Sequence, residues 1–260
     1  MIQARWMQPT LIFLIAAFLI GCSAPATGTA PAATGSAVLA PSVPGGDGAG
    51  HLSAADAALK RNDLSTALKE YQDAATLDPR SAQAQFGLGN VYVRQSRFPD
   101  AEKAYRAALA MNPGMAAAQT NLGVVYYQMG QLGKAAEALA AALELDPNDA
   151  KTLYLLAVIR LQENKLPDAE QLLVKAQAAD SSLPEVYYGL GVLYRLKGQK
   201  QDAINAFERF LAIGPGQDPS ALDHARLELE SLKGKAGAGG QPAAATVSID
   251  SSAIPATPSP

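Results

Sequence analysis

Cysteine occurs once in 260 residues, at Cys22, so no disulfide can form within the chain. Histidine occurs twice, at His51 and His224, toward opposite ends of the chain, and no metal ligands fall at a useful spacing. Aromatic residues make up 6% of the chain although hydrophobic residues make up 48%, because alanine supplies much of the apolar count. Alanine-rich, aromatic-poor chains pack helices closely. Charge is nearly balanced, with a formal net charge of −3, which excludes the basic footprint of a nucleic-acid binder. The apolar run from Leu11 to Ile20 is ten residues long, and a bilayer span needs about 20. No convincing strand precedes a glycine-rich phosphate loop, and Gly214-Pro215-Gly216 reads as punctuation between helices. Asp and Glu are scattered where a helix meets solvent, not paired for acid–base work. These absences point away from an enzyme, a cofactor, a metal and a small-molecule substrate, and toward a chain that holds another molecule.

The first residues carry an address. Arg5 and Asp47 are the only charged side chains before residue 50, and the apolar run follows Arg5 as the h-region of a signal peptide follows its positive start. The run ends in Leu19-Ile20-Gly21-Cys22. This segment resembles the lipobox of bacterial lipoproteins. The resemblance implies a signal peptide over residues 1–21, diacylglyceryl transfer to the Cys22 thiol, and cleavage before it. Ser23 rather than Asp follows the cysteine, which in the Gram-negative lipoproteins implies export to the outer membrane, facing the periplasm. Ala24-Pro25-Ala26 offers an alternative cut of the ordinary secretory kind, which would leave a soluble secreted protein. Residues 22–47 are built mostly from Ala, Pro, Gly, Thr and Ser with almost no charge, the composition of a tether, and residues 234–260 read as a second disordered segment.

Between these ends the prolines fall on a grid. Pro79, Pro113 and Pro147 are 34 residues apart, Pro215 lies 68 further on, and Ser181 fills the missing place. An exact period of this length marks a stacked helical solenoid. With each proline at position 32, the units are 48–81, 82–115, 116–149, 150–183 and 184–217. Position 8 then holds Ala55, Gly89, Gly123, Ala157 and Gly191; position 20 holds Ala67, Ala101, Ala135, Ala169 and Ala203; position 24 holds Tyr71, Tyr105, Leu139, Leu173 and Phe207. Small residues let the two helices of a unit, and neighbouring units, approach closely, while the large ones fill the volume left. Pro99 and Pro167 open second helices, where a missing N–H costs little. This small–large alternation resembles the tetratricopeptide repeat family. The implied fold is all-α: a right-handed superhelical solenoid of about five helix-turn-helix units. A last amphipathic helix over 218–233, capped by Asp218-Pro219 with Leu222, Ala225, Leu229 and Leu232 on its apolar stripe, is expected to cover the open end. Unit one lacks the Leu-Gly pair and the first aromatic, unit four has Arg160 where an aromatic is usual, and unit five has Phe210 in place of a small residue.

The resemblance also implies a concave groove lined by first helices at positions 2, 5, 9, 12 and 13. Here those positions include Phe86, Asn90 and Arg94 in unit two, Thr120 and Tyr127 in unit three, Lys151 and Tyr154 in unit four, and Tyr188 and Arg195 in unit five. Asn121 joins them because one variety of the family clamps a C-terminal carboxylate with residues at such places. Asn90, Asn121 and Lys151 match three of its five positions, but Phe86 and Leu155 replace two of its three cations, which argues against that clamp. The expectation is a groove with aromatic pockets suited to an extended or helical peptide of another envelope protein. The layout of lipobox, tether and repeats looks like lipoproteins that serve pilus, secretion or other envelope machinery, with an accessory subunit of an envelope enzyme as the alternative.

Overall fold

The computed structural model describes residues 48–213 and 219–234, and the signal, Cys22, the tether, Asp218 and residues 235–260 lie outside them. Among the described residues there are eleven helices and no strand. They are α1 (Gly48–Lys60), α2 (Leu64–Leu77), α3 (Ala82–Arg94), α4 (Phe98–Met111), α5 (Ala116–Gln128), α6 (Leu132–Leu145), α7 (Ala150–Gln162), α8 (Leu166–Ala179), α9 (Pro184–Leu196), α10 (Lys200–Ile213) and α11 (Pro219–Leu232). The first ten form five helical hairpins, each packed on the next, and α11 packs on α10. None of the described helices is long and apolar enough to cross a membrane.

One device turns every hairpin. Asn62, Ser96, Gly130, Asn164 and Gly198 each follow the first helix of a unit with φ between 57° and 73°. The next N–H then reaches back five residues: Asp63 to Ala58, Arg97 to Tyr92, Gln131 to Tyr126, Lys165 to Arg160 and Gln199 to Tyr194, at 2.8–2.9 Å. This is the Schellman closure, which satisfies carbonyls at a helix end. Second helices start on side-chain caps in one place, where Asp63 Oδ1 accepts from Thr66 N at 3.1 Å, and on proline in others, Pro99 and Pro167. They end on Asp78, Asn112, Asp146 and Asp180, all extended, as a residue before proline must be. Asp180 keeps that backbone although Ser181 follows it. Its Oδ1 accepts from Ser182 N at 2.8 Å, the same bond that Asp78, Asn112 and Asp146 accept from the residue two further on, so this turn keeps the shared side-chain bond without the proline ring.

The core runs between the two layers of helices. Tyr71, Tyr105, Leu139, Leu173 and Phe207 are fully buried, as are Ala67, Ala101, Ala135, Ala169 and Ala203 beside them. Phe210 is buried as well, its ring centroid 5.4 Å from that of Tyr188.

Helix α11 turns the expected stripe to the array, with Ala225 in the core and Leu222, Leu229 and Leu232 packed against it, and it adds one residue the stripe did not include. Leu222, Leu229 and Leu232 are only half-buried, whereas Ala225 and the carboxylate of Glu228, 6% exposed, are buried. On the 34-residue period Ala225 stands where Gly191 sits, and Glu228 stands where Tyr194 sits.

Candidate interaction groove

The first helices α3, α5, α7 and α9 carry the residues that sequence placed in the groove, and the structure divides them into three groups. Phe86 and Tyr154 are core residues. Phe86 is fully buried with its ring centroid 5.8 Å from that of Tyr105, and Tyr154 is also buried. They line no accessible surface, which corrects the expected aromatic pockets at these two places. Glycines bring the helices around them close together: Gly87 and Gly89 admit the Tyr71 and Tyr105 rings against α3, and Gly189 leaves room for Leu173 and the edge of the Tyr154 ring.

Asn90 and Asn121 form the second group. Asn90 Oδ1 accepts from Tyr105 Oη at 2.8 Å and from Asn121 Nδ2 at 2.9 Å, all three groups buried. The cluster ties α3, α4 and α5 together, and burial holds the Tyr105 phenol well above its ordinary pKa. Asn90 Nδ2 and Asn121 Oδ1 have no protein partner, so the cluster keeps one donor and one acceptor unspent.

The third group stays within reach of solvent. Arg94 is exposed on α3, and its Nη1 donates to the Leu59 carbonyl at 2.9 Å, across to the preceding unit. Tyr127 is half-buried, and its Oη accepts a hydrogen bond from Gln162 of the next unit. Lys151 is half-buried on α7. Tyr188 and Arg195, both half-buried, are joined to α11: Tyr188 Oη lies 3.0 Å from His224 Nδ1, and Arg195 Nε lies 3.5 Å from Glu228 Oε2. Burial, with the Glu228 charge adding to it, pushes the Tyr188 phenol up to about 12.

Between units three and four the surface folds inward around Lys151. A cavity of about 310 Å³ opens there over a floor of Ala116, Ala117 and Ala142. Thr120, Asn121, Thr152, Asp146 and Asp149 surround it together with Lys151. The Thr120 and Thr152 hydroxyls are 2.8 Å apart, and Asp149 Oδ2 accepts from Thr152 N at 3.1 Å, capping α7. Sequence reasoning missed Thr152, Asp146 and Asp149. The available signal was Thr152 itself, a hydroxyl at a place where α3, α5 and α9 have Ala84, Ala118 and Val186. The floor accepts an apolar group, and the rim offers hydroxyls, an amide and charges of both signs for the backbone or polar side chains of a bound segment.

Helical hairpins at a strict 34-residue spacing, with a side-chain-lined recess on the face of the first helices, define a tetratricopeptide-repeat solenoid. The chain belongs to the family described as the Cilia and flagella-associated protein 70 C-terminal domain, whose model matches residues 19–233. Among solved structures it is similar to YrrB, described as a TPR protein with an unusual peptide-binding site, at 26% identity and a TM-score of 0.55, covering 70% of this chain and 92% of that one. It is similar in fold to pilF of Pseudomonas aeruginosa, at 23% identity and a TM-score of 0.64, covering 72% of this chain and 85% of that one. It is also similar in fold to PilW, described as a widely conserved type IV pilus biogenesis factor, at 19% identity and a TM-score of 0.65, covering 73% and 87%. No curated protein sequence matches the chain.

Proposed function

We propose that this chain is a lipid-anchored scaffold of the cell envelope that holds a segment of a partner protein against its first-helix face. The observation that carries the binding half is the recess between units three and four, with its alanine floor and mixed polar rim. YrrB, similar in sequence as well as fold, is a TPR protein with a peptide-binding site, which supports the same reading. The anchoring half rests on Leu19-Ile20-Gly21-Cys22 behind a charge-poor apolar run. Several acyl chains at one terminus anchor stably where a single chain binds marginally. The likeness in fold to pilF and PilW suggests pilus machinery as the setting, and Ser23 suggests the outer membrane.

Two experiments test the two halves. A photo-cross-linking residue placed at Lys151 or Tyr127 in intact cells should capture one and the same protein. The same residue at Arg106, on the outer face of α4, should not. Lys151→Glu should then lower capture by about tenfold, on the order of 1.4 kcal/mol, with helicity unchanged. Capture unaffected by Lys151→Glu, or equal from Arg106, would remove the groove reading. For the anchor, wild type should incorporate radiolabelled palmitate and sediment with membranes, and Cys22→Ala should lose both. An unlabelled, soluble wild type would instead favour the secretory cut at Ala24-Pro25-Ala26.

A further inference from the structure

We propose that His51, Glu70 and Asp73 form a binding site for a divalent transition metal, Zn²⁺ in the first place, that staples the first helix of the array to the second. In sequence these residues are scattered, and nothing in their spacing suggests a site. The α1–α2 hairpin brings them together. One ligand atom from each lies within 4.8 Å of the others, and His51 Nδ1 is 2.7 Å from Glu70 Oε2. Glu70 and Asp73 stand three residues apart on α2 and share a face, while His51 reaches them from the first turn of α1. All three are half-buried, accessible to an ion yet held by the packed helices.

The donor set selects the metal. One imidazole nitrogen and two carboxylate oxygens suit zinc, nickel, cobalt or copper, whereas magnesium and calcium take oxygen alone. Three protein ligands with water completing the shell is the arrangement of open zinc sites. With ligand bonds of about 2.0–2.2 Å, tetrahedral ligand atoms stand about 3.4 Å apart, so the His51–Glu70 pair would open by about 0.7 Å and the widest separation would close by up to about 1.4 Å, within the reach of side-chain torsions. Binding exchanges the Nδ1 proton of His51 for the metal and leaves both carboxylates ionised. The two carboxylates already draw a cation: Lys69 Nζ lies 2.9 Å from Asp73 Oδ2 and 3.9 Å from Glu70 Oε1. That ammonium sits on a flexible stem and its side chain is 70% exposed, so a divalent ion can displace it.

The site stands where the fold needs a fastening. Helix α1 buries only Ala55, Ala58 and Leu59, whereas α3, α5, α7 and α9 each bury a longer series that includes larger side chains. A metal shared between α1 and α2 closes the first hairpin without a larger apolar core.

The test uses the full chain without a histidine tag, stripped by chelator and titrated with ZnCl₂ and MgCl₂ in a calorimeter. One Zn²⁺ per chain should bind, Mg²⁺ should give no heat, and Zn²⁺ should raise the melting temperature. His51→Ala should weaken Zn²⁺ by at least about tenfold. Glu70→Gln should remove the rise in melting temperature. Lys69→Ala should tighten binding by about twofold to threefold, because it removes the competing ammonium. A purely structural ion pair predicts no such gain. Circular dichroism of each variant confirms that the hairpins remain. Absence of Zn²⁺ binding by wild type, undiminished binding by folded His51→Ala, or equal binding of Mg²⁺ would overturn the site.

Discussion

Phe86→Ala is expected to destabilise the array by about 3–5 kcal/mol, the range for deleting a fully buried aromatic ring. Its effect on partner capture should follow from that loss of stability. Phe86 is completely enclosed and tilts against Tyr105 at an interplanar angle of 49°. The Tyr105 hydroxyl serves Asn90 and Asn121, so a hole left by Phe86 loosens the polar cluster that joins units two and three. In a solenoid each unit owes much of its stability to the interface with its neighbours, so the damage should spread beyond unit two. Denaturant unfolding followed by far-ultraviolet circular dichroism measures it. Lys151→Glu, on the half-buried rim of the recess, should shift the same curve by no more than about 0.5 kcal/mol. The opposite pattern, an unchanged midpoint for Phe86→Ala with capture abolished, would make Phe86 a contact residue and reverse its placement in the core.

That contrast shows where sequence stops being informative. The all-helical fold was legible because a 34-residue recurrence of Gly or Ala against Tyr, Leu or Phe can be met by one kind of packing. The depth of a groove residue was not. A helical register says which face a side chain leaves from, but not how far the neighbouring helix stands from it. Phe86 and Tyr154 share a position with Tyr188, yet the first two sink into the core while the third stays half-buried beneath His224. Asn90 and Asn121 have the polarity of a surface and the burial of a core, because they bond to each other and to Tyr105. The turns were half legible. Gly130 announces its left-handed backbone, but Asn62, Ser96 and Asn164 adopt the same conformation without glycine. In α11, a hydrophobic stripe could place Ala225 in the core but could not anticipate that Glu228 would be buried as well, since its partners Arg195 and His224 come from two different helices.

Gly191→Ala should cost about 2 kcal/mol, and adding Phe207→Leu to the same chain should return most of it. A methyl group at Gly191 would lie 2.7 Å from Cδ1 and Cε1 of Phe207 and 2.9 Å from its Cζ, closer than carbon atoms pack. The ring has little room to retreat. Phe207 is fully buried, and the Tyr188 ring meets it edge-on with centroids 6.0 Å apart. Overpacking of this kind costs about 1–3 kcal/mol. Alanine in place of a mid-helix glycine would by itself stabilise by about 1 kcal/mol, so a net loss requires the steric penalty to be at the top of that range. Unit four shows how the fold accommodates the methyl: it has Ala157 at the corresponding place and Leu173 opposite, both fully buried. The double variant writes that pair into unit five. A double-mutant cycle of unfolding free energies should therefore give a favourable coupling of about 1–2 kcal/mol between the substitutions at Gly191 and Phe207, as expected for residues in contact. A coupling near zero, or a Gly191→Ala chain more stable than wild type, would mean that the close approach of α9 and α10 does not set the size of the residue at this position. With the coupling present, the sizes of the residues at 191 and 207 are set against each other in this hairpin, while Ala55 with Tyr71 and Gly123 with Leu139 show that neighbouring hairpins settle on other pairings of small and large.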